Sequence, residues 1–71
     1  MLEQHFIIQI NGEPFQCFNN LSVYDLMEYL NVDTDVNLVE YNNEILHDHQ
    51  FKLTFVQEYD KLEIITIVGG G

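Results

Sequence analysis

The sequence lacks arginine and alanine altogether, and it has only two lysines, Lys52 and Lys61, among 71 residues. Twelve acidic residues give it a formal charge of -10. Nucleic-acid binding is excluded, because it depends on basic side chains that displace counterions from phosphates. The same acidic field should attract a basic protein surface, with a reach of about 8 Å at physiological salt.

Cysteine is also scarce, since Cys17 is the only one. Neither a disulfide within the chain nor a four-cysteine metal site is then available, and a reducing compartment fits. Cys17 occupies an alternating position in a short aromatic run, so we expect a core residue rather than a reactive thiol. His47, Asp48 and His49 offer at most a partial metal site. We therefore predict no bound metal and no bound cofactor.

Long hydrophobic runs are absent as well. No apolar stretch approaches the roughly 20 residues of a membrane helix, and the start lacks the basic region of a signal peptide, so we expect a soluble chain with no membrane partner. A chain of 71 residues forms one domain whose core has little room for a pocket of about 300–1,000 Å³, which favours a carrier, a binding module or a substrate of larger enzymes over an enzyme. Seven asparagines and seven isoleucines indicate an AT-rich genome. A location in the cytoplasm and a location in the plastid stroma are both compatible with such a genome.

What the chain does have is a pattern of short strands around one helix. Residues 5–11 alternate and place Phe6, Ile8 and Ile10 on one face. The Asn11-Gly12 turn then predicts a hairpin with a second strand over residues 15–18.

The helix has both a start signal and an end signal. Ser22 is a suitable N-cap, Asp25 stands in the first turn, and the helix should end near Asn31. Leu21 is placed to pack on Leu26 as a hydrophobic staple. The buried stripe is predicted at Val23, Leu26, Met27 and Leu30.

Two more strands, over residues 36–41 and 44–46, are predicted on either side of an Asn42-Asn43 turn. Residues 51–56 fit either a strand or a short helical turn. Residues 62–68 form the clearest strand. This order predicts an α+β fold, with one main helix packed across a mixed sheet of four to five strands.

The final strand is apolar on both faces. A strand covered by the helix on one side needs only one apolar face, so Ile65 and Ile67, together with Ile7, are candidates for an exposed partner-docking patch. The alternative is that a loop covers these side chains.

The chain ends in Gly69, Gly70 and Gly71, which follow a domain predicted over residues 1–68. Glycine loses more backbone entropy on ordering than any other residue, so three in a row are difficult to explain by folding. Extended, they reach about 10 Å and could enter a narrow active site of a partner. The carboxylate of Gly71 is a poor electrophile until ATP converts it to an acyl-adenylate, which a sulfur nucleophile can attack. The alternative is a merely flexible terminus.

Several segments together resemble the ThiS family of sulfur carriers in thiazole biosynthesis, nearly from end to end. They are the first strand with its Asn11-Gly12 turn, residues 21–27, residues 42–45, and residues 62–65 leading into the triple glycine. The resemblance implies a ubiquitin-like β-grasp fold and a non-catalytic protein. An E1-like enzyme would adenylate Gly71 with ATP and magnesium, a cysteine desulfurase route would deliver sulfur, and thiazole synthase would consume the thiocarboxylate.

Two segments depart from the family pattern. Tyr59 replaces a glycine in the turn before the last strand, which questions the backbone geometry there. His47 and Asp48 stand where the family often has Pro-Arg. Two other functions stay open, namely the small subunit of molybdopterin synthase, which is also a carrier ending in diglycine, and a ubiquitin-type protein modifier.

Overall fold

The computed structural model describes residues 5–18 and 20–67. Seven elements follow one another along the chain: β1 (His5–Ile10), β2 (Glu13–Phe18), α1 (Val23–Leu30), β3 (Asn37–Tyr41), β4 (Glu44–Leu46), a 3-10 helix (Asp48–Leu53) and β5 (Lys61–Thr66). Val68 and the predicted tail of Gly69, Gly70 and Gly71 lie outside the described residues. The α+β class and the order of elements are confirmed.

The strands form one mixed sheet in the order β2-β1-β5-β3-β4. β1 pairs in parallel with β5, while the other neighbours are antiparallel. The last strand of the chain therefore lies at the centre of the sheet. This five-stranded sheet confirms the predicted architecture.

Two asparagine turns connect β1 with β2 and β3 with β4. Asn11 and Gly12 have φ values of 53° and 82°, and Asn42 and Asn43 have φ values of 51° and 73°. Two consecutive positive φ values define the type I′ turn, whose twist matches that of the flanking strands. Both predicted turns are confirmed.

The helix begins and ends where the sequence predicts. The Asp25 N–H donates to the Ser22 hydroxyl at 3.0 Å, and the Ser22 N–H donates to the Asp25 carboxylate at 3.2 Å. This reciprocal capping box satisfies two amides that the helix leaves unpaired. Asn31 ends the helix in the left-handed conformation, with φ at 59°.

The core lies between α1 and one face of the sheet. We call this the inner face, and its fully buried members are Ile8, Cys17, Val39 and Leu62, which meet Val23, Leu26 and Met27 of the helix. Phe6, Ile10, Leu21 and Leu30 pack around them. Cys17 is a core residue as predicted, and burial raises the pKa of its thiol, which lowers its reactivity.

The ambiguous segment over residues 51–56 is partly helical. Phe51 lies in the 3-10 helix and is buried, whereas Leu53 is 78% exposed. A strand would have placed these two side chains on one face, so their opposite burial agrees with the helical geometry.

Candidate functional site

Exposed apolar side chains gather on the outer face of the sheet, opposite the helix. Ile65 lies directly across from Leu38, and the Ile67 N–H donates to the Val36 carbonyl at 2.7 Å, which continues the pairing beyond β5. Ile45 of β4 lies on the same face. We call Val36, Leu38, Ile45, Ile65 and Ile67 the β3–β5 patch. Its members are between 37% and 48% exposed, so no described loop covers them.

Ile7 is on the same face but does not join this patch. The Tyr59 N–H donates to the Ile7 carbonyl at 2.9 Å, so Ile7 is level with Tyr59, six residues before Ile65. At 3.3 Å per residue the separation along the strands is about 20 Å. The structure therefore brings together Ile65 and Ile67 and leaves Ile7 apart, opposite Gln16 of β2. The docking role of all three remains a prediction.

Three members of the patch, Val36, Leu38 and Ile45, were missed by sequence reasoning. So was the acidic pair beside them, in which Glu40 of β3 lies directly opposite Glu63 of β5. Strand periodicity predicted which side chains of β5 lie on its outer face. The same alternation applied to residues 36–41 would have placed Leu38 on that face too. The register that places these residues side by side is a property of the paired sheet.

A buried carboxylate organises the turn that leads into β5. Asp60 is only 8% exposed. Its side chain accepts hydrogen bonds from the Tyr41 hydroxyl, from the Asn42 amide at 3.1 Å and from the Gln57 N–H at 2.7 Å. The Asn42 side chain in turn accepts from the Lys61 N–H at 2.8 Å. This network fixes β5 against β3 at the end farthest from the tail.

The same turn contains Tyr59, which stands where the family pattern has glycine. Its φ is 71°, while Glu58 has a negative φ, and the Asp60 N–H donates to the Gln57 carbonyl at 3.1 Å. This is the type II turn, which normally has glycine at its third position. The geometry that a glycine would favour is thus retained with tyrosine, at a cost of about 1–2 kcal/mol for the left-handed conformation.

Tyr41 provides a pH-dependent test of the network. Burial, the hydrogen bond to Asp60 and its negative charge raise the pKa of Tyr41 above the ordinary value of 10.0. Above pH 10, Tyr41 of the folded protein keeps a proton that the same side chain has lost in the unfolded chain. The free energy of unfolding should therefore fall as pH rises further. Urea unfolding between about pH 8 and about pH 11 measures this slope. Tyr41→Phe should flatten it, whereas Tyr29→Phe, at an exposed site, should leave it unchanged.

The histidines of residues 47–49 do not assemble a metal site in the described part of the chain. The His47 and His49 rings stack in parallel with centroids 6.1 Å apart. Within residues 5–18 and 20–67, no three side chains of His, Cys, Asp or Glu are placed to hold a metal ion. His47 instead precedes the 3-10 helix, where its N–H donates to the Gln50 side chain at 2.8 Å.

Two open clefts lie at the surface, with volumes of about 550 and 510 Å³. These clefts do not test the expectation that the core has little room for an enclosed pocket. The first cleft is lined by Phe6, Phe55 and Glu58 among others, and the second adjoins the β3–β5 patch and includes His47 and His49. Both are open to solvent rather than enclosed by the core.

One helix packed across a five-stranded mixed sheet, with the last strand central, defines a ubiquitin-like β-grasp protein. The sequence profile of the ThiS family matches residues 8–71. The chain belongs to the ThiS family. Proteins of this family are small sulfur carriers rather than catalysts, and they work with E1-like enzymes and thiazole synthases.

Individual relatives agree with this assignment. The crystal structure of the thiamine biosynthesis protein ThiS from Geobacter metallireducens superposes with a TM-score of 0.79 and 30% identity, over 93% of this chain and 100% of that one. The protein ycf40 of Porphyra purpurea is 44% identical over the full length of both chains. A thiazole synthase of Paramagnetospirillum magneticum is 37% identical over 62 residues, which are 87% of this chain and 19% of that protein.

The ycf40 relatives are plastid-encoded proteins of algae. Among the residues that the structure describes, no helix has the length and apolar character needed to cross a bilayer.

Proposed function

We propose that this chain carries sulfur as a thiocarboxylate on its C-terminal Gly71, for the synthesis of the thiazole ring of thiamine. The observation that carries the proposal is the family match, which extends through the triple glycine to residue 71. The exposed β3–β5 patch supports it, because the patch lies at the end of β5 from which the tail continues.

The chemistry follows from the tail. The Gly71 carboxylate attacks the α-phosphorus of ATP in an E1-like partner, and pyrophosphate leaves with its magnesium. The acyl-adenylate is then open to a persulfide sulfur supplied by a cysteine desulfurase, and AMP leaves. A thiol reductant then supplies two electrons that break the S–S bond of the resulting acyl disulfide, which releases the thiocarboxylate on Gly71 and a thiol on the sulfur donor. Gly69 and Gly70 provide reach without β-carbons, and the partner supplies the electrostatic stabilisation.

Thiazole is the favoured destination of the sulfur. The similarity to a short stretch of a thiazole synthase supports it, since a carrier segment within that protein would deliver sulfur to the same polypeptide. The molybdopterin synthase small subunit and a ubiquitin-type modifier use the same activation chemistry and remain the alternatives. The plastid-encoded relatives favour the plastid stroma over a bacterial cytoplasm as the location.

A reconstituted reaction tests the proposal. The purified chain, ending at Gly71, is incubated with an E1-like adenylating enzyme, ATP, magnesium, and a cysteine desulfurase with cysteine and a reductant. Mass spectrometry should find one oxygen replaced by sulfur, confined to the C-terminal peptide. An unchanged peptide would contradict the carrier function. The thiocarboxylate product is then offered separately to thiazole synthase and to molybdopterin synthase, and transfer of sulfur only to molybdopterin synthase would contradict the thiazole assignment.

The docking role of the patch has its own prediction. Ile65→Asp should weaken binding to the E1-like enzyme at least about tenfold, because a charge is then buried at an apolar interface. The loss of stability should stay near 1 kcal/mol, since the side chain is already half exposed. Calorimetric titration and urea unfolding measure the two effects.

Ile7→Asp tests separately whether docking extends to β1, because Ile7 has a similar exposure on the same face but lies about 20 Å away along the strands. Equal weakening by both substitutions would extend the docking surface over the whole face. A loss of stability of about 3 kcal/mol for Ile65→Asp would mark Ile65 as a core residue instead.

A further inference from the structure

The outer face of β3 and β5 contains two facing carboxylates. Glu40 and Glu63 are directly opposite each other across the antiparallel pair. Facing side chains in such pairs have β-carbons about 4.5–5.5 Å apart, and like charges at that distance are destabilising. Glu63 is exposed and Glu40 is half-buried, which limits the screening of Glu40 by water.

The surroundings do not neutralise this pair. Lys61 lies two residues before Glu63 on the same face, yet in the described part of the chain it forms no ion pair with either glutamate. The neighbours on the other sides are apolar or uncharged. Ile65 and Leu38 come next along the two strands, and Ile45 lies across from Glu40 on β4.

The acidic pair is therefore continuous with the β3–β5 patch. A partner that covers the patch also covers Glu40 and Glu63, and it would bury two carboxylates with Lys61 as the cation beside them unless it brought another. A second copy of this chain does not meet that need, because it has two lysines against twelve acidic residues and would add further negative charge. The occupant must be a different protein with an apolar surface and a positive group.

Arginine fits this position better than lysine. Its planar guanidinium presents five N–H donors, can bridge two carboxylates, and gives up its hydration more readily than an ammonium group. We infer that Glu40 and Glu63 form a receptor for an arginine on the E1-like partner, which orients the β3–β5 patch while the tail enters the active site. This inference rests on the proposed function.

The test measures stability and binding in the same variants. Glu40→Gln combined with Glu63→Gln removes the repulsion and the receptor together, so the urea midpoint should rise while affinity for the E1-like enzyme falls about tenfold or more. The dependence of affinity on salt should also become weaker. Glu28→Gln combined with Glu58→Gln is the control, because both side chains are exposed elsewhere and the change in net charge is the same.

The control pair should change affinity less than about twofold, since it alters only the long-range field. An equal loss of affinity in both double variants would overturn the inference in favour of net charge alone. Unchanged affinity in the Glu40 and Glu63 variant would also overturn it. The wild-type thiocarboxylation assay is read separately, so a failure of the carrier function is distinguished from a failure of the arginine receptor.

Discussion

Adding one alanine after Gly71 should abolish thiocarboxylation completely. The added residue turns the Gly71 carboxylate into an amide, which has no anionic oxygen to attack ATP. The new carboxylate stands about 3.5 Å farther along, on a residue with a β-carbon. Reacting atoms must approach within about 3–3.5 Å in the correct orientation, so a displacement of this size removes the reactive geometry. Mass spectrometry of the C-terminal peptide reports the result.

Two further variants separate chemistry from access. The same alanine placed before Met1 should leave the reaction unchanged, because it alters the other end of the chain. Gly70→Ala keeps the terminal carboxylate and adds only a β-carbon, so it should slow the reaction without preventing it. Full activity of the extended chain would show that the carboxylate of Gly71 is not the reacting group.

Asp60→Ala should cost about 2–4 kcal/mol of the free energy of unfolding, the largest effect on stability that we expect from a single polar side chain. Asp60 accepts from Tyr41, Asn42 and Gln57, and hydrogen bonds to a charged group contribute about 1.5–3 kcal/mol each before partial compensation. The variant leaves these donors without their acceptor in a partly buried site. For a chain of this size, total stability is about 4–10 kcal/mol, so the loss is large. Urea unfolding measures it.

Asp35→Ala is the matched control, because Asp35 is exposed and the substitution removes the same charge. It should change stability by less than about 0.5 kcal/mol. Hydrogen exchange adds a local measurement, since the Asp60 variant should expose amides at the start of β5 before the helix opens. Equal effects of the two substitutions would show that the Asp60 network does not hold the turn.

The contacts of Asp60 explain how tyrosine can replace glycine at position 59. Tyr59 takes the positive φ that glycine would adopt at low cost, and the adjacent Asp60 network holds the turn in that conformation. Glycine at this position is therefore not required for the fold. The departure from the family pattern changes the cost of the turn, and Tyr59 keeps a positive φ at this position.

The sequence by itself determined the local structure. The Ser22 and Asp25 capping box, the Asn11-Gly12 turn and the Val23, Leu26 and Met27 stripe depend on neighbours within four residues, so they were predictable from spacing. Alternation also identified the exposed face of β5. The triple glycine, together with the family resemblance, indicated the carrier function.

Only the tertiary structure decided which residues from different strands lie together. Ile7 and Ile65 have the same character and face the same side, yet the parallel register of β1 with β5 separates them. The antiparallel register of β3 with β5 brings Leu38 to Ile65 and Glu40 to Glu63, across more than 20 residues of chain. Register is set by the packing of the whole sheet against the helix, because a shift of one residue would turn every buried side chain outward.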